Sequence, residues 1–177
     1  MLHARSWSSI VTLLALATTM ASCFDPVHSD AVDELGGEAP GVPTGETHRP
    51  GQPCTTCHGG SGPGSPDFAV AGTIYEARDS AKVLPGVTVV LTDSSNPPQT
   101  RTERSNEAGN FYIETDRWSP TFPLFVVMKF PGEPDKKMLT RIGRNAGCAF
   151  CHYAPLNDRT AGDDSPTHMP PVYMKGK

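Results

Sequence analysis

Two short patterns of the same type, far apart in the chain, constrain its folding more than any other feature. The sequence reads CTTCH from Cys54 to His58 and CAFCH from Cys148 to His152. On a helical turn, residues three and four apart share a face, so the two thiols and the imidazole of each pattern project on one side. Each pattern can therefore hold a flat group covalently along one edge and place a nitrogen ligand above it.

The pattern Cys-x-x-Cys-His is the attachment motif of c-type haem, in which two thioethers hold the porphyrin and the histidine ligates the iron. The two pentapeptides resemble those of small multihaem c-type cytochromes. The resemblance implies two covalent haem c groups and an exported dihaem protein that transfers electrons between a redox donor and a redox acceptor. The residues that would hold the haems are Cys54, Cys57 and His58 in the first motif, and Cys148, Cys151 and His152 in the second.

Three other interpretations of the same cysteines stay open. The four thiols could bind zinc, although the gap between the pairs far exceeds ordinary ribbon spacing. They could close two disulfides, or one pair could act as a thioredoxin-like dithiol, although no βαβ pattern surrounds either pair. A histidine after each second cysteine favours haem, because none of the three alternatives requires it.

The best candidates for the iron ligands opposite the motif histidines are His48 and His168. His48 lies six residues before the first motif, and His168 lies in a loop stiffened by prolines. The sequence leaves open which iron each would serve, and Met169 and Met174 are the alternatives. For His28, in an acidic segment, we expect a solvated surface position.

The first 22 residues are typical of an export signal, with Arg5 ahead of an apolar stretch. The tetrapeptide MASC, which ends at Cys23, resembles a bacterial lipobox and implies a lipidated Cys23 at the mature N-terminus. Ordinary cleavage after Ala21 is the alternative. Because Cys23 is the one cysteine outside the two motifs, we favour lipidation, with the protein anchored to a membrane in the periplasm or at the cell surface.

The sequence divides into segments of different composition after residues 1–22. We expect a disordered acidic tether over 23–52, the first haem-binding segment with a glycine-rich linker over 53–67, and a β-sandwich over 68–142. The second haem-binding segment and tail follow over 143–177. Whether the two motifs lie together or at opposite poles of the sandwich cannot be decided at this stage.

Short segments rich in β-branched and aromatic residues alternate with turn signals between the two motifs. They predict six strands, over residues 68–75, 87–92, 100–105, 111–115, 124–130 and 137–142. The expected fold is mainly β, a small antiparallel sandwich of immunoglobulin-like or transthyretin-like type with little helix. The sequences PGVTV from Pro85 and NEAGNF from Asn106 resemble the carboxypeptidase regulatory-like family of β-sandwiches, which implies a spacer or binding module.

Charge and motif content restrict the function further. The net charge is −4 and no Lys/Arg cluster occurs, so we do not expect nucleic acid as a partner. No Ser/His/Asp set, phosphate loop or paired-carboxylate site points to hydrolysis. Two rival functions remain: a small haem peroxidase with an open iron position, and an adhesive or binding sandwich stapled by zinc or disulfides.

Overall fold

The computed structural model describes residues 25–38, 41, 44–152 and 169–176. The predicted signal peptide, Cys23 and His168 lie outside the described residues. Within them the fold is mainly β, as predicted, with strands at β1 (Phe68–Thr73), β2 (Thr88–Thr92), β3 (Thr100–Arg104), β4 (Asn110–Glu114), β5 (Phe125–Lys129) and β6 (Lys136–Lys137). The helical elements are α1 (Pro26–Glu34), α2 (Cys54–Cys57) and a 3-10 helix at Cys148–Phe150. None of the helices in these ranges is long and apolar enough to cross a membrane.

The strands form two antiparallel sheets. Strand β1 pairs with β4 in one sheet, and the other sheet has the order β3-β2-β5-β6. Strand β2 shows the alternation expected of a half-buried strand, with Val89 and Leu91 buried and their neighbours half-exposed. The core includes side chains from both sheets and from the connecting segments, among them Val70, Ile74, Val87, Val89, Leu91, Phe111, Ile113, Trp118 and Leu124.

The segment after residue 142 belongs to the same folded unit. The Ala71 N–H donates to the Ala146 carbonyl at 3.1 Å, and the Tyr75 N–H donates to the Val172 carbonyl at 2.8 Å. Ala146 and Met174 complete the core. Met174, one of the alternative iron ligands suggested by the sequence, is 0 % exposed and packs among apolar side chains.

The tether predicted before the first motif contains helix α1, so the prediction of disorder is wrong there. Asp25 caps the helix by accepting a hydrogen bond from the His28 N–H at 3.1 Å, and a proline occupies the first helical position. At the other end, the Arg49 guanidinium donates to the Leu35 and Gly36 carbonyls at 3.2 and 2.6 Å. Capping and a distant arginine therefore stabilise a helix that has little apolar periodicity.

A buried carboxylate organises the loop after β2. Asp93 is 2 % exposed and accepts hydrogen bonds from the Ser95 hydroxyl at 2.6 Å and the Gln99 N–H at 2.8 Å through Oδ1. Its Oδ2 accepts from the Thr121 N–H at 3.2 Å. Burial by itself would raise the pKa of Asp93, but these hydrogen bonds outweigh it and lower the pKa from 3.8 to about 2.

This depressed pKa predicts a specific acid sensitivity. The Asp93 carboxylate stabilises the fold above pH 3.8, and this stabilisation is lost as the pH falls toward about 2. We expect Asp93→Asn to flatten the pH dependence of the unfolding midpoint across this window, in denaturant titrations at a series of pH values. Asp116→Asn, at an exposed carboxylate, is the control. Equal pH dependence in both variants would contradict the assignment.

Candidate functional site

The first motif forms one helical turn that holds its histidine in a defined orientation. The His58 N–H donates to the Cys54 carbonyl at 2.9 Å, and His58 is 7 % exposed. Its Nδ1 lies 2.7 Å from the Pro66 carbonyl oxygen. A carbonyl oxygen only accepts, so Nδ1 carries the proton and Nε2 keeps a free lone pair. His58 is therefore prepared to ligate a metal through Nε2.

The glycine-rich segment after the motif wraps around it. The Gly64 N–H donates to the Cys57 carbonyl at 2.8 Å, and a Cβ added at Gly64 would lie 2.8 Å from the Nδ1 atom of His58. The Phe68 ring stacks on the His58 ring with centroids 4.2 Å apart, and stacks in turn on Tyr112 at 4.4 Å. The glycines of the segment predicted as a linker allow the backbone to approach the imidazole and orient it.

His48, a predicted ligand, lies beside His58. Their ring centroids are 5.9 Å apart and their planes are inclined by 25°. The two rings are stacked, so ligation of one metal by both would require their Nε2 atoms to turn toward a common point. The His48 carbonyl accepts from Asn110 at 2.9 Å, and its Nδ1 accepts from the Gly45 N–H at 3.2 Å. Ligation through Nε2 needs the tautomer that carries its proton on Nδ1. The 3.2 Å hydrogen bond from the Gly45 N–H to Nδ1 would then be lost.

A cavity of about 750 Å³ opens at this pair of histidines. Its volume lies within the range of about 300–1,000 Å³ typical of ligand pockets. Helix α1, the loop around His48, the first motif and β4 form its walls, and Arg49 ties α1 to that loop. The lining includes the first motif's Cys and His side chains, His48, and the apolar residues Val32, Leu35, Phe68, Phe111 and Tyr112.

The second motif repeats the histidine arrangement of the first. The His152 N–H donates to the Cys148 carbonyl at 2.8 Å, and His152 Nδ1 lies 2.8 Å from the Pro170 carbonyl oxygen. Nε2 of His152 is again left with its lone pair. The Met169 N–H donates to the Cys151 carbonyl at 3.1 Å, which closes the returning chain over the motif. Cys151 is exposed, so this motif is more open than the first.

The β-sandwich brings the two motifs to the same end of the molecule. The Thr55 hydroxyl in the first motif donates to the Asn145 side-chain oxygen at 3.4 Å. A Cβ at Gly147 would collide with that hydroxyl, so the two segments are in direct contact. A Cβ at Gly72, in β1, would lie 2.7 Å from the Cys148 sulfur. The question left open by the sequence is therefore decided in favour of adjacent motifs.

The four motif cysteines are free thiols, and neither disulfide of the alternative interpretation is present. In the described part of the chain no three His, Cys, Asp or Glu side chains converge as a metal cluster would require, so a four-thiolate zinc site is not assembled. Burial raises the pKa of Cys54 to about 11 and the pKa of Cys148 to about 12. A reactive dithiol needs a lowered pKa, whereas an uncharged thioether is compatible with burial.

His28 differs from the solvated residue expected from the sequence. Its Nε2 atom is buried and has no hydrogen-bond partner among the described residues. His28 lies four and seven residues before Val32 and Leu35, so the three side chains share the face of α1 that includes cavity-lining residues. That helical spacing is the signal that would have indicated a buried position.

No family model matches the chain, and no curated protein or solved structure is significantly similar to it.

Proposed function

We propose that the protein is an exported dihaem c-type cytochrome that carries electrons between redox proteins. One repeated observation carries the proposal: His58 and His152 each donate Nδ1–H to a proline carbonyl, at 2.7 and 2.8 Å. A hydrogen bond of this kind sets the tautomer and orientation of a metal-ligating histidine. Its occurrence in both Cys-x-x-Cys-His motifs favours two equivalent iron-binding positions over an unrelated use of each histidine.

The residues of the first motif fit a haem. Cys54, Cys57, His48 and His58 all line the cavity, so two cysteines and two histidines belong to one site. Bound haem would supply one-electron iron chemistry. The protein would hold the porphyrin edge through the thiols, keep both axial nitrogens in place and surround the group with apolar side chains that exclude water.

The second imidazole favours electron transfer over peroxide chemistry at the first site. A peroxidase needs an open iron position, whereas His48 lies beside His58 in the same cavity and offers a second nitrogen ligand. For the second iron, His168 and Met169 remain the predicted distal ligands. Export, lipidation at Cys23 and weak, transient docking to a redox donor and acceptor complete the proposal.

The direct test is the visible spectrum of the protein produced with a c-type maturation system, oxidised and then dithionite-reduced. We expect a sharp α-band on reduction, two irons per chain, and haem that stays with the polypeptide in denaturing electrophoresis. A colourless protein, or one that carries zinc, would overturn the proposal and make the β-sandwich the place to look for function.

The approach of Gly64 to His58 predicts a sensitive substitution. In Gly64→Ala the new Cβ would lie 2.8–2.9 Å from three atoms of the imidazole, so the ring must move. We expect the haem proposed at His58 to change from low spin to high spin in a fraction of the molecules. The absorbance spectrum of the oxidised protein measures this change. Gly143→Ala, where an added Cβ meets nothing within 4 Å, is the control. Identical spectra for both variants would contradict this role of the loop.

A further inference from the structure

The chain after β6 protrudes from the sheet and carries an apolar side chain fully into solvent. Lys137 pairs with β5 at one end of this segment, and Ile142 forms an isolated bridge at the other end. The segment is two residues longer than the stretch 124–127 that it faces, so its middle must bulge outward. Leu139, in this bulge, is 100 % exposed.

Hydrogen bonds hold both ends of the bulge. The Met138 N–H donates to the Val126 carbonyl at 3.1 Å, and the Ile142 N–H donates to the Leu124 carbonyl at 3.0 Å. The exposure of Leu139 therefore belongs to a defined backbone arrangement. An exposed leucine by itself is ordinary on a protein surface, so its surroundings decide whether it has a role.

Basic side chains flank this leucine on both sides. The net charge of −4 conceals one exception to the absence of a Lys/Arg cluster, because residues 136–144 contain no acidic residue and the basic residues Lys136, Lys137, Arg141 and Arg144. Three of them, Lys137, Arg141 and Arg144, are exposed and form no ion pair with another described residue. Asp135, just before this segment, is already paired with Lys129 at 3.2 Å.

Aromatic rings lie under two of the cations. The Arg141 guanidinium carbon is 4.8 Å from the centroid of the Phe125 ring, which is 42 % exposed. The Lys136 ammonium is 4.0 Å from the Tyr173 ring centroid and donates to the Gly176 carbonyl at 3.1 Å. The surface thus combines an exposed aliphatic tip, a partly exposed ring and cations beside both, a combination typical of segments that lie at a membrane interface.

We infer that this surface, formed by Phe125 and residues 136–144 and called here the basic loop, binds an anionic lipid bilayer. Leu139 enters the boundary between headgroups and acyl chains, where its apolar surface leaves water. Lys137, Arg141 and Arg144 contact the lipid phosphates. A specific protein interface buries about 800 Å² on each side around an apolar centre, which one leucine and part of one ring do not provide.

This inference goes beyond the proposed function and requires no haem. The test measures partition of the mature protein onto vesicles by flotation, with Cys23→Ser in every protein so that no lipid anchor contributes. The vesicles contain phosphatidylglycerol and phosphatidylcholine in equal amounts, or phosphatidylcholine alone. We expect binding to the anionic vesicles only, weakened about tenfold by Leu139→Ser and about fivefold by Lys137→Ala.

Matched controls separate the basic loop from the rest of the surface. Val27→Ser changes a 76 % exposed apolar residue of α1, and Arg78→Ala removes an exposed cation outside the loop, so both should bind like the parent protein. Because Leu139 is fully exposed, Leu139→Ser should keep the parent's unfolding midpoint in denaturant, and weaker binding then reports on the surface and not on folding.

Three results would overturn the inference. Equal weakening by Lys137→Ala and Arg78→Ala would show that net charge alone drives binding. Binding that Leu139→Ser leaves unchanged would exclude insertion of the leucine. No binding to the anionic vesicles would exclude the lipid surface and leave the basic loop to an acidic protein partner. None of these results changes the haem content of the protein, which tests the proposed function separately.

Discussion

With haem bound at the first motif as proposed, His48→Ala should change that haem from a six-coordinate low-spin state to an open state that binds carbon monoxide after reduction. The expectation follows from the position of His48, which lines the same cavity as His58 with the two ring centroids 5.9 Å apart. Alanine leaves no nitrogen there, and His58 remains held by the Pro66 carbonyl. In the wild-type background we expect the change in about half of the total haem, because only one site loses a ligand.

The role of His48 as distal ligand is tested most clearly in the Cys148→Ser/Cys151→Ser background, which would keep only the first haem. There His48→Ala should alter nearly all of the haem absorbance, whereas His28→Ala, the matched control on α1, should leave it low spin. The opposite result, a change in haem absorbance with His28→Ala alone, would contradict His48 as the distal ligand of the first iron and assign that role to His28 in helix α1. In the Cys54→Ser/Cys57→Ser background, which would keep only the second haem, His168→Ala tests His168 as the distal ligand of the second iron.

Gly72→Ala should weaken both the fold and the attachment of the second motif. A Cβ at this position would lie 2.7 Å from the Cys148 sulfur and 3.1 Å from the Phe111 ring. Strand β1 cannot shift freely, since it pairs with β4 over several residues, from Phe68 opposite Glu114 to Thr73 opposite Asn110. Overpacking of this kind costs about 1–3 kcal/mol of unfolding free energy, and displacement of the second motif relieves it.

Denaturant unfolding of Gly72→Ala and of the control Gly143→Ala measures this cost. We expect a lower midpoint only for Gly72→Ala. With haem bound at the second motif as proposed, we also expect faster carbon monoxide binding there, because the displaced motif no longer fixes the histidine. A midpoint equal to that of the control would show that the second motif is not held against β1 at this position.

Several features of the fold could be predicted because they depend on neighbouring residues. Side chains of the β-branched segment around Val89 alternate between buried and half-exposed positions. This period of two residues can be recognised from the sequence alone. Helix α1 was missed because its stability comes from Asp25 at its start and Arg49 at its end, not from an apolar stripe. The half-buried position of His28 was missed because the segment was not predicted as a helix, and its spacing to Val32 and Leu35 has meaning only on a helix.

The sequence by itself determined the chemistry available to this protein: two Cys-x-x-Cys-His turns, whose reactive groups are placed by helical geometry within five residues, and a mainly β fold between them. Only the tertiary structure decided how these parts meet. Thr55 and Asn145 are 90 residues apart in the chain, and His152 and Pro170 are 18 apart. Contacts over such separations depend on how the strands pair and where the chain returns, which local residue patterns do not specify.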